Sequence, residues 1–67
     1  MITQIGLAAG AIWEYLDNHG RNAQLDTMVR ELKRDRSLLL MSIGWLAREG
    51  HVTLEGAGPN YVVKLNG

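Results

Sequence analysis

The side chains in this chain that could do covalent or metal chemistry are few and far apart. His19 and His51 fall at a helix end and a strand start, and with no cysteine in the sequence they complete no metal-binding pattern. Ser37 and Ser42 have no histidine base near them in sequence, so the spacing activates no nucleophile. Gly56-Ala57-Gly58 joins two strand patterns rather than a strand and a helix, which is not the setting of a phosphate cradle. The expectation is a protein with no catalytic residues, no metal, no cofactor and no small-molecule ligand.

Binding chemistry is better represented. Arg30, Lys33, Arg34 and Arg36, with Glu31 and Asp35 among them, carry a local charge of +2, whereas the seven basic and seven acidic residues of the whole chain cancel. A basic cluster of this kind suits phosphate oxygens. The residues that follow it, Ser37, Leu38, Met41, Ser42 and Trp45, nearly lack the arginine, lysine, asparagine and glutamine that read base edges. Duplex DNA held by Arg30, Lys33, Arg34, Arg36, Ser37 and Ser42 is therefore expected to bind weakly and through its phosphates. The same apolar excess predicts a rival partner. Leu38, Met41 and Trp45 form a surface for docking or homodimerisation if the monomer's own core does not cover them.

These side chains must be held by helices and a hairpin. Ile5, Ala8, Ala9, Ile12, Trp13 and Leu16 recur at three-and-four spacing, which predicts a first helix from about Thr3 to Asn18, capped by Thr3 and stopped by Gly20. Gly6 and Gly10 lie four apart on one side of it. Each costs about 1 kcal/mol relative to alanine, so another backbone is expected close to that side. Leu25, Met28, Val29 and Leu32 predict a short second helix over about Ala23 to Lys33, with Asn22 as its cap. Asp35 then caps a third helix that ends at Gly50, and its Leu39, Ile43 and Leu46 are expected against Ile12, Leu16, Leu25 and Val29. Beyond Gly50 the period falls to two. Val52 and Leu54, then Tyr61, Val63 and Leu65, predict a hairpin around a five-residue loop, Gly56 to Asn60. The loop has no cation to enter a minor groove. Three helices followed by a hairpin, with a short turn between the second and third, is the order of a winged helix-turn-helix, an α+β fold that is mainly α.

The stretches Ile5-Gly6-Leu7-Ala8-Ala9-Gly10-Ala11-Ile12-Trp13 and Ile43-Gly44-Trp45-Leu46-Ala47-Arg48-Glu49-Gly50 resemble a small prokaryotic winged-helix family of unknown function. The resemblance covers nearly the whole chain. It implies the fold and, by analogy with other winged helices, a DNA-binding or transcription-regulatory role. Lys33 stands where a turn glycine is common in helix-turn-helix units, and Arg34 where an apolar turn residue often packs, so the turn is expected to be looser than usual.

Size and composition set the energetic frame. Sixty-seven residues suit one domain, residues 1–67, and a chain this short hides only about 60% of the surface exposed on unfolding. Burial against a second protomer would add to such a small core. The apolar start, Met1 to Trp13, has no basic leader and is too short to span a bilayer, so no membrane partner is expected and the predicted location is cytoplasmic.

Overall fold

The computed structural model describes residues 2–67, in the order α1 (Ile2–Asn18), β1 (Asn22–Gln24), α2 (Leu25–Leu32), α3 (Arg36–Arg48), β2 (Val52–Glu55) and β3 (Val62–Leu65). Helix α1 already includes Thr3, which therefore lies in the first turn and is not the cap. Its end is as expected. Gly20 takes φ +78°, and the Arg21 amide closes the turn on the Leu16 carbonyl at 2.8 Å. Gly50 ends α3 in the same way at φ +80°, with the His51 amide on the Leu46 carbonyl at 2.9 Å.

The sheet contains one strand more than the hairpin expected from sequence. Asn22, Ala23 and Gln24 are extended and pair antiparallel with β3, opposite Lys64, Val63 and Val62, so the order is β1-β3-β2. Helix α2 consequently starts at Leu25, and Asn22 caps nothing. Strands β2 and β3 pair Val52 with Leu65 and Leu54 with Val63, which turns Val52, Val63 and Leu65 into the core. Strand β3 begins at Val62, one residue later than the alternation suggested, and just before it the Tyr61 carbonyl accepts the Leu25 amide at 2.8 Å.

One apolar cluster joins all the layers. Ala8, Ala9, Ile12 and Leu16 of α1, Leu25 and Met28 of α2, and Leu39, Ile43 and Leu46 of α3 meet the inner side of the sheet. The expected packing of α3 against α1 and α2 holds with one change: Met28 fills the core, and Val29 is only half buried at its edge. Trp13, grouped by spacing with the core face, is 44% exposed. Among the described residues no helix is long and apolar enough to cross a membrane, and no three metal-ligating side chains converge.

Candidate interaction surface

The turn between α2 and α3 is tight, contrary to the looseness expected from Lys33. Lys33 adopts the left-handed conformation (φ 53°, ψ 42°) that glycine usually supplies, and its amide reaches the Val29 carbonyl at 3.1 Å. Two residues on, Asp35 Oδ2 accepts the Leu38 amide at 3.1 Å and caps α3 as predicted.

The start of α2 is capped from the wing. Gln24 precedes the helix without a side-chain cap, and the place is filled by Asn60, whose Oδ1 accepts the Asp26 amide at 2.9 Å. Arg36 closes the same junction: its guanidinium donates to Asp26 Oδ1 and to the Pro59 carbonyl. The first turns of α2 and α3 and the tip of the wing are thus held at one point. Replacing Asn60 by alanine removes the cap and is expected to lower stability by about 0.5–2 kcal/mol, measured by urea denaturation, with Asn60→Asp retaining most of it. The Arg36–Asp26 pair is more than a third exposed on both sides, so it adds at most about 1 kcal/mol.

This clasp changes the account of the basic cluster. Arg36 is engaged within the chain, while Arg30, Lys33 and Arg34 are exposed and, among the described residues, make no ion pair. Glu31, expected to offset them, accepts the Tyr15 hydroxyl at 2.9 Å. Partial burial first, then that hydrogen bond and the carboxylate's charge, push the Tyr15 phenol above its ordinary pKa, with Arg30 opposing. The Tyr15 ring also stacks on His19 at 3.9 Å, and His19 Nδ1 donates to the Tyr15 carbonyl at 2.7 Å. His19 therefore acts as a helix-end residue packed on Tyr15.

The surface of α3 separates the sequence-predicted residues. Ser37 is exposed beside the cations. Ser42 is fully buried and donates its hydroxyl to the Leu38 carbonyl at 2.8 Å, so it presents nothing to a nucleic acid. Leu38 is half buried against the core, which removes it from a free docking surface. Met41 and Trp45 are 43% and 48% exposed, and the outward side of α3 also carries Leu40, Gly44 and Arg48.

The apolar surface does not stop at α3. Two adjoining clefts share Gly6 and Trp45: one is completed by Ile2 and Ile5, the other by Ala9, Gly10, Trp13, Leu46 and His51. Both tryptophans of the chain thus flank the Gly6–Gly10 side of α1. Sequence reasoning singled out Met41 and Trp45 but missed the contribution of Ile2 and Trp13. The available signal was their angular position: at 100° per residue Ile2, Gly6 and Trp13 fall within about 40° of one another, at the margin of the α1 core face.

With this geometry in place, comparison with known proteins is informative about the fold. Residues 1–65 match the family described as "Winged helix-turn-helix domain (DUF2582)", and the chain belongs to that family. No curated protein matches it significantly. A solved HOP2 structure, described as giving insight into DNA recognition and protein interaction domains and homologous DNA pairing, is similar with a TM-score of 0.71. The two are 19% identical over 88% of this chain and 98% of that one, a likeness of fold.

Proposed function

We propose that this chain is a non-catalytic interaction module whose working surface is the apolar outward side of α3 and the adjoining flank of α1, and that its partner is a second copy of itself. One observation carries the reading: between Ser37 and Arg48 at its two ends, where a DNA reader would present polar or basic side chains, α3 presents Leu40, Met41, Gly44 and Trp45. Winged-helix domains generally bind macromolecules and do no chemistry of their own, in keeping with a surface that gathers apolar rather than titratable groups. The proposal keeps the cytoplasmic setting expected from the sequence. Light scattering across a dilution series tests it. A mass approaching two copies at high concentration supports the reading, and a single copy throughout contradicts it.

A second reading, duplex DNA binding with a role in transcription regulation, is favoured by the three open cations Arg30, Lys33 and Arg34. The similarly folded HOP2 structure, described in terms of DNA recognition, points the same way. Such binding would be carried by phosphates, because the wing tip has no cation and is held inward through Pro59 and Asn60. Affinity is then expected to fall with salt at a log–log slope of about 0.9 for each phosphate neutralised, and Arg34→Ala should reduce that slope by about one. Fluorescence anisotropy with a labelled duplex measures both, and no binding at low ionic strength removes this reading.

A further inference from the structure

A helix-turn-helix meets DNA through the N-terminal residues of its recognition helix. The first residue of α3 is a cation, Arg36, yet the chain has already occupied it: one guanidinium nitrogen donates to Asp26 Oδ1 and the other to the Pro59 carbonyl. Asp26 differs from the other acids of the region in what it holds. Glu31 accepts the Tyr15 hydroxyl and Asp35 caps α3, whereas Asp26 takes a cation. Arg30 stands four residues after Asp26, and so on the same face of α2.

We infer that Asp26 is a built-in competitor for DNA: its carboxylate fills the place of a phosphate on Arg36, and so withholds from a duplex the first cation of α3. The inference rests on the duplex DNA reading above and adds to it a residue that sets affinity. Three observations support it. Carboxylate and phosphate offer the guanidinium the same paired oxygens, and the arginine fork accepts either. Both side chains are partly exposed, so a phosphate can reach Arg36 once the carboxylate is removed. The fold makes little use of that carboxylate. An exposed pair adds little stability, and the bond that caps α2 and anchors the wing runs from the Asp26 amide to Asn60 Oδ1. The Pro59 carbonyl still holds the second guanidinium nitrogen when the carboxylate is gone. A cation already neutralised by a carboxylate displaces no counterion from DNA, so in the wild type Arg36 adds nothing to the salt dependence of binding.

The test measures fluorescence anisotropy with a labelled duplex for the wild type, Asp26→Asn, Arg36→Gln and the double variant, with circular dichroism to check that each is folded. Asp26→Asn is expected to tighten binding about tenfold at about 50 mM salt and to steepen the log–log salt slope by about 0.9, one further phosphate. Arg36→Gln alone should leave the slope unchanged. In the Arg36→Gln background, Asp26→Asn removes a charge but frees no cation, so the gain should fall below about threefold and the slope should stay as it was. Where Asp26→Asn is not fully folded, Asp26→Ala, a better helix former, gives the same comparison. A slope lowered by Arg36→Gln alone means that the guanidinium already touches DNA, and overturns the inference. So does a folded Asp26 variant with wild-type affinity and slope, or a gain that is undiminished in the double variant. No binding by either the wild type or the Asp26 variants at low ionic strength overturns the DNA reading itself, and the competitor with it.

Discussion

Replacing Leu39 by alanine is expected to lower the unfolding free energy by about 2–5 kcal/mol, much of the stability available to a domain of this size. Leu39 is fully buried in the cluster that joins α1, α2 and the sheet, a cluster it shares with Ile12, Leu25 and Ile43, all at or near complete burial. The loss has two parts: the apolar area returned to water and the cavity left behind. In a small fold with a single cluster no second core limits the damage. Urea denaturation gives the number directly. A change below about 1 kcal/mol would mean that α3 packs in another register, with a different residue at that place.

The second large effect concerns the surface. Replacing Trp45 by lysine is expected to weaken self-association about 100-fold or more, because an aromatic anchor is lost and two like charges are brought towards one another across a twofold seam. Trp45 is about half exposed and lines both clefts between α3 and α1, so part of its packing belongs to the single copy. The fold should therefore be weakened by less than in Leu39→Ala. Sedimentation equilibrium read beside a denaturation curve separates the two effects, and an unchanged dimer in a folded variant would take Trp45 out of the interface.

The long-period features of the fold were legible in the sequence because they depend on local repetition. Leu39, Ile43 and Leu46 keep helical spacing, Gly20 and Gly50 mark the ends of α1 and α3, and Asp35 lies one residue before α3; each is found in its expected place. What escaped depends on residues distant in sequence. Strand β1 has three residues of low strand propensity and exists because β3 offers an edge to Asn22–Gln24. The cap of α2 comes from Asn60, 34 residues after the amide it accepts, and no local pattern contains such a pair. For the same reason Arg36 was grouped with the open cations, since Asp26 and the Pro59 carbonyl become its partners only after the wing has folded back. Ser42 was misplaced by a finer margin: a small polar residue within an apolar helix can face either way, and the Leu38 carbonyl lets its hydroxyl be satisfied indoors.

The clasp at Asn60 and Arg36 also bears on mechanism. It holds the wing against the first turns of α2 and α3, and none of its residues lines the clefts beside Trp45. The open cations and the apolar flank are separate surfaces, since Arg30, Lys33 and Arg34 line neither cleft. Self-association through one would double the phosphate contacts offered by the other without requiring either to change shape.

The central claim, that the α1 flank and Trp45 form the working surface, is tested most directly by amide hydrogen exchange of the wild-type chain at low and high protein concentration. The account predicts added protection at high concentration in residues 2–13 of α1 and around Met41 and Trp45 of α3, with exchange at Arg30, Lys33 and Arg34 unchanged. Protection that is independent of concentration, or that grows instead around the turn cations, would contradict it.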